Sequence, residues 1–238
     1  MSLALASKKK SPQLLISVST LPEAQIAIDQ GADIVDLKDP ALGALGALPL
    51  DDIKAIVALI KRQPAASRKL CSATLGDLPM QVDRLIPQLK QVLASGVDIV
   101  KIGFFPSEDY QVCLDALKPY AQSGHQIIAV LFAETLYPDS LIAAIKHAGL
   151  IGIMLDTQHK NGLSLFDHYA DKQASAFAQQ VLQQGLLLGL AGSLRQNHVA
   201  AAKSLQPSYI GFRGGVCHAY HRQSRLDAEK IKVIREML

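Results

Sequence analysis

Gly96-Val97-Asp98-Ile99-Val100-Lys101-Ile102-Gly103 is a short apolar run, opened by a glycine and rich in β-branched residues. Such a run reads as a buried strand. A strand buried on both faces of a parallel sheet should be apolar throughout. Lys101 breaks that pattern, and an unpaired buried ammonium is costly. The same pattern stands earlier, as Gly31-Ala32-Asp33-Ile34-Val35-Asp36-Leu37-Lys38. Overlaying the two segments puts Asp36 where Lys101 stands and Lys38 at Gly103. Side chains alternate along a strand, so Asp36 and Lys38 share a face, as do Ile99 and Lys101. Two strands therefore send charge to one place.

Outward from this pair, six more apolar runs read as strands, at 14–18, 69–74, 126–132, 150–155, 186–190 and 208–212. Helical stretches fall between them. Thr20 is placed to cap the first, with Pro22 in its opening turn. Further helices are expected at 51–62, 79–94, 107–122, 138–149 and 166–184, another after the seventh strand, and the last from 227 to the end. The loop 41–49, with Gly43 and Gly46, reads as mobile. Eight strands, each followed by a helix at near-regular spacing, predict an α/β fold: a single-domain (β/α)8 TIM barrel over residues 14–238. An open doubly wound sheet would need a Gly-rich fingerprint after its first strand, and none is there. Residues 1–13, with Lys8-Lys9-Lys10 after small apolar residues, read as a disordered basic tail, because a signal peptide puts its charge before its apolar stretch.

Composition narrows the function. Hydrophobic residues make up 49% of the 238 and aromatics 5%, with no Trp, which suits a βα-repeating core. A formal charge of +3 argues against nucleic acid as the main partner. No stretch approaches the ~20 apolar residues of a membrane span. Cys71, Cys113 and Cys217 form neither a disulfide framework nor a zinc pattern, and free thiols suit the cytoplasm.

In a barrel the catalytic groups stand at the upper strand ends. The second strand offers Asp36 and Lys38, the fourth Lys101, the sixth Asp156 and the eighth Arg213. All are even strands, so Asp36, Lys101, Asp156 and Arg213 are expected at about one height. The bland alternative is a charge-compensated plug. Desolvation and neighbouring cations favour a neutral lysine amine, which attacks a carbonyl to give an iminium and then an enamine. Lys101, the deeper lysine in the overlay, is the expected Schiff-base residue, with Gly103 leaving space above it. Asp36 and Asp156 would move protons.

Phosphate has an expected seat at Gly192-Ser193, taken to begin the helix after the seventh strand, and at Gly214-Gly215 after the eighth. Backbone N–H groups there form the usual phosphate site of a barrel. Arg213 would add charge there, or form a structural ion pair. His218-Ala219-Tyr220-His221 has metal-like spacing without a third ligand and reads as a surface loop. His159 is placed near the mouth, Met154 in the core, and Cys217 carries no mark of a nucleophile. No nucleotide motif and no metal cluster is evident, and no cofactor is expected.

Several segments taken together resemble the (5-formylfuran-3-yl)methyl phosphate synthases. They are Gly31 to Pro40 with Gly43-Ala44-Leu45-Gly46-Ala47, Val100-Lys101-Ile102-Gly103, Leu155-Asp156-Thr157 with Lys160, and Phe212-Arg213-Gly214-Gly215-Val216-Cys217. The likeness spans nearly the whole chain after the tail. It implies a (β/α)8 barrel that converts two glyceraldehyde 3-phosphate molecules into one phosphorylated furan aldehyde, losing one phosphate and two waters, in furan-cofactor biosynthesis. It implies catalytic roles for Asp36, Lys38, Lys101, Asp156 and Lys160, one lysine being covalent. Partners would be small phosphorylated trioses, with neither nucleic acid nor membrane, and a homo-oligomer is allowed. The rivals are a class I aldolase acting on another sugar phosphate, which releases no inorganic phosphate, and a non-catalytic phosphometabolite-binding barrel, which has little use for two inward lysines.

Overall fold

The computed structural model describes residues 11–159 and 161–238. Lys160 and most of the basic tail lie outside the described residues. Gln13, expected in the tail, already belongs to the first strand.

Eight strands form: β1 (Gln13–Val18), β2 (Ile34–Leu37), β3 (Leu70–Thr74), β4 (Ile99–Gly103), β5 (Gln126–Phe132), β6 (Gly152–Asp156), β7 (Leu187–Leu190) and β8 (Tyr209–Phe212). They pair in parallel in chain order, and β8 closes onto β1. The expected barrel is the observed fold. The helices around it are α1 (Leu21–Asp29), α2 (Leu50–Lys61), α3 (Val82–Ala94), α4 (Tyr110–Gln122), α5 (Leu141–His147), α6 (Leu165–His168), α7 (Asp171–Gln183), α8 (Val199–Ser204) and α9 (Ala228–Met237). None is long and apolar enough to cross a membrane among the described residues.

Local chemistry explains the helix starts. The Thr20 hydroxyl accepts the Glu23 N–H at 3.3 Å. Glu23 reaches back past the cap to accept the Ser19 N–H at 2.9 Å, which ties the preceding residue to the first turn. On α2 the buried residues Ile53, Ile56, Val57 and Ile60 follow helical spacing and face the sheet. Three boundaries differ from expectation. Ser107 accepts the Asp109 N–H, forming a turn before α4 instead of capping it. The stretch 166–184 divides into α6 and α7 because Tyr169 and Ala170 are extended. After β7, Ser193 turns left-handed (φ 51°), so helical structure starts only at Gln196.

Two apolar layers result, one between strands and helices and one inside the barrel. Strand tilt puts inward residues of alternate strands at shared heights. On the even strands the floor holds Ile34, Ile99, Gly152 and Tyr209. The next tier holds Asp36, Lys101, Met154 and Gly211, and the top tier Lys38, Gly103, Asp156 and Arg213. At the floor, a Cβ on Gly189 would lie 2.2 Å from Cζ of the fully buried Tyr209, so glycine there makes room for the ring.

The loop 41–49 is pinned, contrary to its mobile reading. Asp77 accepts the Ala44 and Leu45 N–H groups at 2.9 and 2.7 Å. Asp39 N–H and Thr74 Oγ1 both donate to Gly46 O, at 2.8 and 3.2 Å. Leu45 is fully buried and packs with the inner barrel cluster.

Candidate active site

Asp36 and Lys101 meet in the middle tier. Lys101 Nζ lies 2.6 Å from Asp36 Oδ1, with the two side chains 1% and 0% exposed. Asp36 also accepts Ser17 Oγ at 2.9 Å and Ser72 Oγ at 2.6 Å. Burial alone would raise its pKa. The charges of Lys101 and Lys38, with hydrogen bonds from Lys101 and Ser72, outweigh that and hold the carboxyl below its ordinary value. Met154 Sδ lies 3.9 Å from Lys101 Nζ.

The single height expected for the charges resolves into two tiers. Asp156 and Arg213 stand level with Lys38, one even tier above Asp36 and Lys101. Lys38 Nζ is 3.9 Å from Asp156 Oδ2, and both side chains are nearly buried. The space expected above Lys101 at Gly103 is filled. A Cβ there would meet Phe105 at 2.6 Å and Leu45 at 2.7 Å, because the pinned loop inserts Leu45.

A cavity of about 690 Å³ opens at the catalytic end of the barrel. Lys38, Asp156, Met154, Gly192, Ser193, Gly214 and Gly215 line it, while Lys101 and Asp36 are not among its lining residues. The two glycine turns thus meet across one cavity. Among the described residues, the N–H groups of Ser193, Gly214 and Gly215 have no hydrogen bond to protein.

Arg213 takes the structural course. Its guanidinium donates to Glu23 Oε2 at 2.6 Å and Oε1 at 3.1 Å. It also donates to the carbonyls of Arg222 at 2.7 Å, Ser17 at 3.2 Å and Ser224 at 3.3 Å. Those five bonds use every N–H the guanidinium has, which leaves none for a substrate phosphate. The reason is Glu23: the first-turn carboxylate of α1 lies buried beside β8 and takes the charge.

Cys217 is buried, and burial pushes its thiol above the ordinary value despite the nearby Arg213, Lys230 and Arg222 charges, which does not suit a nucleophile. His218 lies 3.6 Å from Asp227 on the surface. Among the described residues no group of three or more His, Cys, Asp and Glu side chains is arranged to hold a metal.

Three residues escaped the sequence reading. Asp77 clamps the loop after β2. Glu134 accepts the Gln158 and His159 N–H groups, both at 2.9 Å, and so fixes the loop that follows Asp156. Arg222 lines the cavity beside Gly214. Asp77 lies 33 positions from Ala44, Glu134 24 from Gln158, and Arg222 donates to Gly43 O from 179 positions away, so no local pattern marks any of them.

The family model for 4-HFC-P synthase matches residues 14–235. The chain belongs to the 4-HFC-P synthase family. A Methylorubrum extorquens protein provisionally named (5-formylfuran-3-yl)methyl phosphate synthase is 37% identical over 220 residues, 92% of this chain and 89% of that protein. The (5-formylfuran-3-yl)methyl phosphate synthases of Archaeoglobus fulgidus and Methanocaldococcus jannaschii are 31% and 30% identical, each alignment covering 94% of this chain and 98% of the relative. The resemblance read from the sequence is therefore the family found, and membership of this synthase family makes the chain an enzyme. Solved structures add the fold alone. Phosphoribosyl anthranilate isomerase of Thermus thermophilus superposes with a TM-score of 0.66 at 14% identity, covering 94% of this chain and 97% of that one. A 3-hexulose-6-phosphate synthase does so with 0.63 at 14%, covering 95% and 99%.

Proposed function

We propose that this member of the 4-HFC-P synthase family joins two glyceraldehyde 3-phosphate molecules into (5-formylfuran-3-yl)methyl phosphate, with loss of one phosphate and two waters, for biosynthesis of a methanofuran-type cofactor. The observation that carries the mechanism is the stacking of two lysines. Lys38 stands at the cavity with Asp156, and Lys101 lies beneath in contact with Asp36.

This geometry favours Lys38 as the covalent amine and moves that role away from Lys101. Lys38 lines the space a substrate would enter. Lys101 is 1% exposed, Leu45 and Phe105 fill the space at Gly103 two positions along its strand, and its nitrogen is engaged by a carboxylate. In the proposed course Lys38 attacks a triose aldehyde, and loss of water gives an iminium. Removal of the adjacent C–H proton gives an enamine. Electron flow from that enamine breaks the neighbouring C3–O bond and expels phosphate, leaving a conjugated iminium. The second triose, deprotonated at its C2, adds to C3 of that iminium to form the carbon–carbon bond. Water then hydrolyses the imine and frees Lys38, and closure of a hydroxyl onto the remaining aldehyde with loss of two waters gives the furan. Asp156, 3.9 Å from Lys38, serves the proton transfers at this level. Lys101 and Asp36 lie beneath as a buried ion pair that fixes the tier below Lys38. Lys160 stays an expected acid–base residue. The turns at Gly192-Ser193 and Gly214-Gly215 receive a substrate phosphate.

The test is to supply purified protein with glyceraldehyde 3-phosphate and follow near-ultraviolet absorbance together with free phosphate. One phosphate per furan is expected. A condensation product without phosphate release would make the protein an aldolase instead. Borohydride added during turnover should leave a triose-derived mass on the Lys38 peptide. A mass on Lys101 would return the covalent role to that residue, and furan formed with no adduct on any lysine would end the imine mechanism.

A further inference from the structure

The cavity rim carries a cation that the mechanism above does not use. Arg222 lies between β8 and α9, half-buried, and lines the cavity with Lys38, Asp156 and the glycine turns. Its backbone is held firmly, because its carbonyl accepts Arg213 Nε at 2.7 Å, and Arg213 is itself fixed on Glu23. Its side chain runs beside the expected phosphate turn: a Cβ on Gly214 would sit 3.6 Å from Arg222 Cβ. Nη2 donates to Gly43 O at 2.8 Å, and this is the guanidinium's one hydrogen bond to the described residues. Four N–H donors remain for a ligand. No carboxylate pairs directly with Arg222 among the described residues, although Asp156, Asp77 and Asp39 act on it from a distance. A partly desolvated guanidinium with spare donors, beside unbonded backbone N–H groups, suits a doubly charged anion. Its planar fork matches two phosphate oxygens at once.

We propose that Arg222 is the side chain that recognises the phosphate monoester of the substrate at the turns after β7 and β8. The assignment rests on reading this site as one for phosphorylated substrates, and it stands apart from the covalent chemistry. It also explains the fate of Arg213, which serves as the frame that presents Arg222. Through Gly43, Arg222 joins the phosphate end of the cavity to the loop that follows Lys38.

Glycerol 3-phosphate tests this directly. It has no carbonyl, so it cannot form an imine with any lysine. Its affinity would be measured by calorimetry for the natural protein, Arg222→Met and Arg222→Lys, with each variant's thermal midpoint followed with and without the anion. Met keeps the apolar stem and removes the charge. Losing charge-assisted hydrogen bonds of this kind should weaken binding about 10- to 100-fold. The anion-induced rise in midpoint should shrink accordingly. Lys should restore part of the affinity. Unchanged affinity in Arg222→Met overturns the assignment, as does a natural protein that binds no glycerol 3-phosphate. Inorganic phosphate is the second probe. Arg222-dependent binding of it alone would place Arg222 at the leaving phosphate and overturn substrate recognition. Arg222-dependent binding of glycerol 3-phosphate, with no furan formed from glyceraldehyde 3-phosphate, would sink the proposed reaction and leave Arg222 in its role.

Discussion

Asp36 shows how much one buried carboxylate can carry. It is fully buried and accepts two hydroxyls and an ammonium. Asp36→Asn would keep the shape and leave Lys101 buried without its counter-charge. Breaking a buried pair in this way typically costs about 3–5 kcal/mol. Denaturant unfolding at neutral pH should show a loss of that order. The pH dependence has a definite sign. The folded carboxyl sits below its ordinary value of 3.8, so its contribution is complete above that pH. It is lost as pH falls through the lower folded value, where the native state must take up the proton. The variant should therefore unfold with a shallower acid limb below about pH 4. An acid limb as steep as that of the natural protein would mean other carboxylates set it.

At the scale of elements, the loops over the strands decide what the cavity is. The loop after β2 reads as mobile from its glycines, yet Asp77 grips it by two backbone amides. Glycine is needed at position 43 because a Cβ would lie 2.0 Å from Asp77 Oδ2, and φ there is +97°. Asp77→Ala should release the loop. Hydrogen exchange at the Ala44 and Leu45 amides should speed up strongly while exchange within the strands stays slow. Equal protection in the variant would show that Leu45 packing alone pins the loop. The glycine turn after β8 makes a sharper contrast. A Cβ on Gly215 would meet the Leu194 carbonyl at 2.1 Å, whereas on Gly214 it meets nothing closer than 3.5 Å. Gly215→Ala should lower the thermal midpoint, because a backbone carbonyl cannot easily move. Gly214→Ala should fold normally and raise the KM for the triose phosphate. Identical behaviour of the two variants would remove the distinction.

The whole molecule is a closed barrel whose floor must be filled. Tyr209 does this by lying over Gly189, and packing of this density leaves no slack for a methyl group. Gly189→Ala should cost at least the 1–3 kcal/mol typical of overpacking, read from denaturant unfolding. Combining it with Tyr209→Leu should recover part of the loss. If the single variant is as stable as the natural protein, the floor is looser than these distances imply.

The sequence by itself determined the barrel, because its βα repetition is written in local periodicity and eight buried strands admit few closures. It also determined that Asp36 and Lys101 would meet, since strand alternation and even-strand tiering follow from parity alone. The Thr20 cap is equally local. Heights were another matter. The tilt that lifts Asp156 one even tier above Lys101 comes from the pairing of all eight strands. The partners of Arg213 were equally out of reach, because Glu23 stands 190 positions away along the chain. The covering of Lys101 depends on a loop pinned by Asp77, and the placing of Arg222 at the phosphate turns depends on Arg213. Local pattern records which faces are buried. Which of several charges reaches a cavity is set by contacts between distant segments, and those form only when the barrel closes.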